Sequence, residues 1–239
     1  MPLRKLTARN RSPRANWQLA SLLAFTAGTA DVSGFLSLGQ FTSHMSGVVA
    51  AMAADLDLRG LNAMIRPTTV LGCFVAGAAF CALLINWERR RDRESLFAVP
   101  VLVEAFLLAL LALPVASHHI WVALCILSFS MGLQNAIITK ISHAEIRTTH
   151  VTGMITDIGI EIGRALYWNR SRRQPAVQSD RRHLLLLSIL VGLFFAGGTV
   201  GAFAYPHIGF LVLLPIAISL AIFTVAPISA DIRSAAVAH

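Results

Sequence analysis

TSHMSG at residues 42–47 is repeated as TTHVTG at residues 148–153. The shared pattern is Thr, then Ser or Thr, then His, any residue, Ser or Thr, and Gly. The chain is 56% hydrophobic and 13% charged, so apolar composition alone does not explain two matched polar stretches. The match predicts that the chain contains two related units.

The repeat extends on both sides of these two stretches. The aligned positions are FTAG at 25–28 with FSMG at 129–132, Asp31 with Asn135, Asp55 with Glu161, and Gly72, Phe74, Ala76 and Gly77 with Gly192, Phe194, Ala196 and Gly197. The offset between the aligned positions changes only where a loop can absorb the difference. The two units therefore cover most of the chain.

The composition indicates an integral membrane protein. Soluble proteins carry about 25% charged residues, roughly twice the fraction here, and the mean hydropathy is +0.67. The net charge of +8 comes from Lys and Arg placed between apolar runs, which is typical of topology signals rather than of a nucleic-acid-binding surface. The three cysteines lie inside apolar runs without CxxC spacing, so neither a metal nor another cofactor is predicted.

Apolar windows of about 20 residues predict an all-α membrane protein. The predicted spans are roughly 17–39, 67–86, 97–114, 120–140, 184–204 and 208–227. Two further apolar segments, 45–58 and 151–163, contain acidic residues and are too short to cross, so we expect re-entrant or broken helices there. The units are then a basic cytoplasmic N-terminus (1–16), membrane repeat 1 (17–114), membrane repeat 2 (120–227) and a C-terminal tail (228–239), with one membrane domain overall.

The distribution of Lys and Arg predicts the orientation in the bacterial inner membrane. With six crossings, all of the 20 Lys and Arg except Arg59 and Arg66 fall on the cytoplasmic side. If both short segments crossed as well, the basic loops at 87–96 and 164–182 would lie on opposite sides. Six crossings with both termini cytoplasmic is therefore the predicted topology.

Three crossings in each unit make the second unit inverted relative to the first. Inverted repeats with interrupted helices are typical of secondary transporters and some channels. The predicted fold is thus about six transmembrane helices plus two short helices, arranged as two inverted three-span repeats that meet through their polar breaks.

The chain resembles the YoaK-like family of bacterial multi-pass inner-membrane proteins, which is defined by a domain of unknown function. The stretches that carry the resemblance are Asp31, HMSG at 44–47, GLQNA at 132–136 and THVTG at 149–153. The resemblance covers roughly residues 17–227. Family patterns often have Thr-Gly-Asn where this chain has Ser46-Gly47-Val48, so that Asn is absent here. The resemblance implies this architecture and no established substrate.

Asp31 is the most unusual side chain of the first span. A carboxylate inside a membrane costs at least about 2.5 kcal/mol unless it is paired or hydrated. Two interpretations are open: coupling to a proton or cation, or a buried hydrogen bond to backbone freed by nearby glycines. The counterpart Asn135 is neutral, so the predicted site is asymmetric.

The matched histidines His44 and His150 indicate a function. If the short helices begin near Ser46 and Thr152, their N-termini would suit an anionic or dipolar solute. Helix capping and close packing at the adjacent glycines would explain the Ser, Thr and Gly residues of the motif but not the histidines.

Acidic residues continue this polar pattern along the short segments. His150, Asp157 and Glu161 share one helix face, as do His44 and Asp55. Such a stripe lines a water-filled path or faces the lipid headgroups, whereas ion pairs with Arg59 and Arg164 are the structural alternative. The candidate pathway or binding residues are Asp31, Thr42, Ser43, His44, Ser46, Asp55, Gln134, Asn135, Thr148, Thr149, His150, Thr152, Asp157 and Glu161.

Two further features are treated as secondary. Glu104, in the third span, ranks below Asp31 because it lies close to the membrane interface. Small residues four apart predict close helix packing, in the pairs Gly72 and Ala76, Gly192 and Ala196, Gly197 and Gly201, and Gly159 and Gly163.

These features predict a transporter or channel for a small polar or anionic solute, with its pathway at the interface between the repeats. The alternatives are a membrane-embedded enzyme using His, Asp and Glu, or a non-catalytic membrane subunit or sensor. The sequence contains no HExxH, GxSxG or phosphate-binding glycine motif, so no catalytic residue is assigned. The expected partners are the lipid bilayer and an unidentified small solute. A homo-oligomer is left open, and nucleic acid is not expected.

Overall fold

The computed structural model describes residues 13–58, 60–91, 96–114, 119–141, 151–168 and 176–237. These residues form eight α-helices and two 3₁₀ helices, with no strand among them. The α-helices are α1 (Pro13–Leu38), α2 (Met45–Leu58), α3 (Ile65–Arg90), α4 (Ala98–Leu111), α5 (Ile120–Ile141), α6 (Val151–Leu166), α7 (Arg181–Ile208) and α8 (Leu214–Val237). The 3₁₀ helices, Leu61–Met64 and Gly209–Leu213, lead directly into α3 and α8. The predicted all-α class is confirmed.

Four helical stretches of the described chain are long and apolar enough to cross a membrane. They are Trp17–Leu38, Leu61–Arg90, Ile120–Lys140 and Arg181–Val225. The last stretch has 45 residues, about 68 Å of helix and more than twice the hydrocarbon thickness. The stretch is interrupted at Gly209, whose φ is 58°. Its total length corresponds to the two predicted spans 184–204 and 208–227. The remaining predicted span corresponds to α4, which has only 14 residues.

The most extensive helix pairs are α1 with α7 and α3 with α5. Each pair joins the first helix of one predicted unit to the third helix of the other. In the α1–α7 pair, a Cβ on Gly28 would lie 2.0 Å from the carbonyl oxygen of Phe194. In the α3–α5 pair, a Cβ on Gly132 would lie 1.9 Å from the carbonyl oxygen of Phe74. These two contacts join positions that are aligned in the sequence repeat.

A second set of contacts follows the same alignment. A Cβ on Gly77 would lie 2.0 Å from the carbonyl oxygen of Phe129, and one on Gly197 would lie 2.1 Å from that of Phe25. Real Cβ atoms essentially never come within 3.0 Å of another heavy atom. The backbones therefore approach this closely only because these four positions are glycine.

The predicted packing role of the small-residue pairs is confirmed only in α7. A Cβ on Gly201 would lie 2.8 Å from the carbonyl oxygen of Thr29, so Gly201 joins Gly197 in the close crossing. By contrast, Gly72, Gly159, Gly163 and Gly192 have open space around them among the described residues. In α3, for example, Gly72 lies about 140° around the helix from the buried Gly77, at 100° per residue. Four-residue spacing shows that small residues share one face of a helix, but it does not show which face a neighbouring helix covers.

The short segments form separate helices at the ends of longer ones. α1 has 26 residues and continues without interruption to Leu38, so the first break follows a full-length helix. α2 packs mainly on α3 and its 3₁₀ turn, and α6 packs on α7. Among the described residues, the predicted units contact each other mainly through α1 with α7, α3 with α5 and α4 with α8. The predicted meeting of the two polar breaks involves residues 142–150, which lie outside the described part of the chain.

The Gly77→Ala variant tests the close crossing. The added Cβ meets the backbone oxygen of Phe129, which cannot rotate away as a side chain could, so α3 and α5 must separate. We expect a loss of about 1–3 kcal/mol of folding free energy, measured as lower thermal stability of the purified protein in detergent. Gly72→Ala, in the same helix with open space around its α-carbon, is the control. Equal stability of the two variants would contradict the crossing.

Candidate functional site

The first break, residues 39–44, turns the chain back against the end of α1. Gly39 has a φ of 65°, a left-handed conformation that glycine adopts without strain. Its backbone N–H donates a hydrogen bond of 2.8 Å to the carbonyl oxygen of Phe35, which caps α1 as left-handed glycines commonly do. The turn brings His44 beside a residue two turns back in α1.

That residue is Asp31. Its Oδ2 lies 3.1 Å from Nδ1 of His44, and the Ser43 hydroxyl lies 3.1 Å from the same nitrogen. The Asp31 side chain is 1% exposed, whereas that of His44 is 40% exposed. The hydrogen bond that His44 donates to Asp31 raises the pKa of His44 above its ordinary value of 6.5, and this outweighs the opposing effect of burial. The carboxylate therefore lies behind the imidazole and favours its charged form.

Phe41 packs beside the imidazole, and Phe35 packs on Phe41. The rings of Phe35 and Phe41 are stacked with centroids 4.5 Å apart, and the Phe41 centroid lies 4.7 Å from that of His44. The imidazole is thus fixed by a carboxylate at Nδ1 and by an aromatic ring at its side. With Nδ1 donating to Asp31, Nε2 is the nitrogen available to a ligand.

Arg66 provides a second cation at the same place. Its Nη2 donates a hydrogen bond of 2.5 Å to the carbonyl oxygen of Leu38, the last residue of α1. A cation at a helix C-terminus is favoured by the helix dipole. Since Arg66 is the second residue of α3, this bond brings the end of α1 and the beginning of α3 to the same level.

A cavity of about 680 Å³ lies between the first break, α2, the beginning of α3 and α5. We call it the His44 cavity. Its lining includes Phe35, Phe41, His44, Asn62, Arg66 and Trp121. Its volume is within the usual range of about 300–1,000 Å³ for small-molecule sites. Aromatic walls with a guanidinium and a carboxylate-backed imidazole are suited to a small anion carrying some apolar surface.

The other residues of the first motif differ in their surroundings. Thr42 is buried, and its hydroxyl has no hydrogen-bond partner among the described residues. Ser46 is exposed on α2, which begins at Met45, the first residue of the predicted segment 45–58. Asp55 belongs to α2, but its side chain lies outside the described part of the chain. The motif is thus divided between the His44 cavity, the interior and the surface.

The counterparts on α5 are neutral and directed elsewhere. Asn135 donates from Nδ2 to the carbonyl oxygen of Met131 in its own helix, at 2.9 Å. Gln134 is completely buried and donates from Nε2 to the carbonyl oxygen of Leu23 on α1, at 3.0 Å. The structure therefore places an ionisable pair at Asp31 and an amide at the aligned position, in keeping with the asymmetry of the sequence.

Much of the second motif lies outside the described residues, including Thr148, Thr149 and His150. Thr152 and Asp157 are exposed on α6, whereas Glu161 on the same helix is buried. The sequence placed Asp157 and Glu161 in one polar stripe, but their exposure differs because α7 packs against α6. Within the described residues, no group of three His, Cys, Asp or Glu side chains is placed to hold a metal ion.

Glu161 joins α6 to the beginning of α7. Its Oε1 accepts a hydrogen bond of 2.6 Å from Arg164, three residues later, and its Oε2 accepts one of 2.8 Å from the backbone N–H of Asp180. The bond from Asp180 is the largest cause of a lowered pKa of Glu161. This is the ion-pair alternative considered for the sequence, so Glu161 has a structural role in the described conformation.

The sequence did not single out Arg66, Asn62 or Trp121 as site residues. Arg66 was recognised as one of two cations on the side opposite the basic loops, which is the signal that could have identified it. Asn62 and Trp121 reach the His44 cavity from a 3₁₀ turn and from α5, and no local pattern marks such a convergence.

Comparisons with known proteins agree with the membrane character of the fold. The protein family described as "Protein of unknown function (DUF1275)" matches residues 19–226. The chain is also 26% identical over 213 residues to the UPF0700 transmembrane protein YoaK of Bacillus subtilis (strain 168), covering 87% of this chain and 92% of that protein. No solved structure matches. Since the family match includes both units and most of the chain, the protein belongs to the DUF1275 family of proteins of unknown function, as its resemblance to the YoaK-like family predicted.

Proposed function

We propose that this protein is an inner-membrane transporter or channel for a small anionic solute, which enters through the His44 cavity. The observation that carries the proposal is the Asp31–His44 pair: a buried carboxylate holds a half-exposed imidazole on the wall of a cavity that Arg66 also lines. A buried carboxylate in a membrane span is expensive and indicates function by default. Here the Asp31 carboxylate raises the pKa of the His44 imidazole and so favours its positively charged form.

The proposal includes six crossings. The hydrogen bond between Arg66 and Leu38 supports this topology, because the end of α1 and the beginning of α3 then lie on the same side of the membrane. In that case the chain between α1 and α3, which includes α2, does not cross the membrane. We assign the first break to the periplasmic side and both termini to the cytoplasm, as the positive-inside rule predicts.

The proposal also includes two inverted units, 17–114 and 120–227, with the pathway at their interface. The aligned glycines support it, because Gly28 with Phe194 and Gly132 with Phe74 are equivalent contacts under an exchange of the units. A three-span unit must invert its copy. Transporters built in this way bind solute where the two units meet, and Trp121 of the second unit contributes to the lining of the His44 cavity.

The anion specificity is tested by uptake into proteoliposomes. We expect one or more radiolabelled anions from a panel of chloride, phosphate, acetate and lactate to enter. His44→Ala and Arg66→Gln should each lower uptake roughly tenfold or more, since a hydrogen bond to a charged group contributes about 1.5–3 kcal/mol. Arg66→Lys should retain part of the uptake because it keeps the charge. His207→Ala, at an exposed position of α7, is the matched control. Exclusion of the whole panel by the wild-type protein would count against the proposal.

The pH dependence of uptake tests the role of Asp31. Because Asp31 raises the pKa of His44, the imidazole keeps its charge above pH 6.5, and anion uptake should fall only as the pH rises through this raised value. Asp31→Asn removes the anionic partner, so the fall should move to lower pH while membrane insertion is unchanged. An identical pH profile in wild type and Asp31→Asn would show that Asp31 does not set the charge of His44.

The topology is tested by cysteine labelling in whole cells. In a background with Cys73, Cys81 and Cys125 replaced, Asn62→Cys should react with a membrane-impermeant maleimide added outside. Asp92→Cys, in the Arg-rich stretch of sequence that follows α3, should react only after the cells are opened. Labelling of position 92 but not 62 in intact cells would reverse the proposed orientation.

A further inference from the structure

Glu104 of α4 is a buried acid that the His44 cavity does not use. Its side chain is 0% exposed, and neither carboxyl oxygen has a hydrogen-bond partner among the described residues. The sequence ranked Glu104 low because of its proximity to the interface, where water would reach it. The structure instead buries it on α4, a helix that packs against α8, α5 and α3.

Among the described side chains, the surroundings of Glu104 provide no cation to balance an ionised carboxylate. On α5 the neighbour is the Gln134 amide. On α3 it is the Cys81 thiol, with the buried Glu88 two turns further along the same face, where it has an interaction of its own. Lys140 of α5 acts on Cys81 but is exposed. Neither Gly209–Leu213 nor the described side chains of α8 include a titratable group.

A buried carboxylate with these neighbours is most stable as the neutral acid. The neutral acid also provides a donor that the interior lacks. Gln134 uses Nε2 on the backbone of α1, and its Oε1 is buried without a partner in the described part of the chain. A proton on Glu104 therefore supplies a donor beside an unsatisfied acceptor.

Unpartnered polar atoms continue from Gln134 along the α1–α5 interface towards the first break. The register of that interface is antiparallel, since Gln134 meets Leu23 while Leu127 meets Gly34. Ser130 lies three residues after Leu127 and four before Gln134, so it shares their helix face. Its hydroxyl is buried and has no partner among the described residues.

Asp31 completes the row at the other end. It precedes Gly34 by three residues and so lies on the face of α1 that α5 covers. Its Oδ2 binds His44, whereas its Oδ1 is buried without a described partner. Buried polar atoms without protein partners are normally satisfied by internal water. Asp31, Ser130, Gln134 and Glu104 therefore outline a hydrated route from the His44 cavity to α4.

We propose that Glu104 is a proton-binding site, reached from the Asp31–His44 pair through water held by Ser130 and Gln134. A proton that enters at the His44 cavity passes along this row, neutralises the Glu104 carboxylate and leaves from Glu104 towards the other side, so that no charge remains in the membrane. The use of this proton to drive anion uptake rests on the proposed function. The proton-binding site and its route do not rest on the proposed function.

Infrared spectroscopy of the purified wild-type protein tests the site without any solute. A protonated Glu104 gives a carboxylic-acid C=O stretching band, which Glu104→Gln removes. The exposed acid of α6 provides the matched control, Asp157→Asn, which should keep the band. In D₂O the band of the folded protein should shift as the acid exchanges its proton, and Ser130→Ala, which leaves Glu104 in place, should slow that shift.

Three results would overturn the proton route: no wild-type band that Glu104→Gln removes, a band that fails to shift in D₂O, or an equally fast shift in Ser130→Ala. The Ser130 variant keeps the test decisive even if Glu104→Gln does not fold.

Proteoliposomes then test the coupling. With an inward proton gradient, Glu104→Gln should lose gradient-driven accumulation of the transported anion while retaining exchange of that anion without a gradient. Equal accumulation by Glu104→Gln and wild type would overturn the coupling and leave the proposed anion transport intact. A wild-type protein that passes no anion, but whose acid band shifts in D₂O, would instead reject the transport function and retain the proton site.

Discussion

The close approach of helix backbones at four glycines is the constraint on which the rest of the structure depends. Lipid tails are as apolar as leucine, so helices in a membrane associate through packing and not through release from water. At Gly28, Gly77, Gly132 and Gly197 the carbonyl oxygen of a neighbouring helix occupies the space that a Cβ would need. These crossings hold α1 against α7 and α3 against α5. They thereby determine which faces of these helices are left to make the other interior contacts.

The polar interior follows from that pairing. With one face of α1 on α7, the face bearing Asp31 and Gly34 lies towards α5 and the first break. Asp31 is tolerated there because His44 returns to it from the break, and because Gly39 permits the left-handed turn that makes the return short. The Asp31–His44 pair is therefore a consequence of the helix packing together with one turn, and the His44 cavity lies where the turn leaves space beside α3.

The sequence predicted those features of the structure that have a local cause or that recur in the repeat. Helix length and apolar composition predicted the all-α membrane class, and small-residue spacing predicted close packing at Gly197 and Gly201, whereas Gly28, Gly77 and Gly132 were recognised only as aligned positions of the repeat. The sequence did not predict features that depend on the position of another helix. Gly72 was expected to pack closely but has open space around it among the described residues, and Asp157 and Glu161 were placed on one face yet differ in exposure. Arg66 was interpreted as a topology signal only. Spacing along a helix gives a face, whereas burial depends on which neighbour covers it.

The ionisable groups of the proposed proton route are distributed unequally between the two predicted units. Asp31 and Glu104 both belong to the first unit, on α1 and α4, whereas α5 of the second unit places the neutral Ser130 and Gln134 between them. At the position aligned with Asp31, Asn135 bonds to its own helix. At this pair of aligned positions, the first predicted unit thus has an ionisable pair and the second has an amide dipole. In the proposed inverted topology and proton route, the two ends of the route, His44 with Asp31 and Glu104, are not chemically equivalent, so the route has a direction.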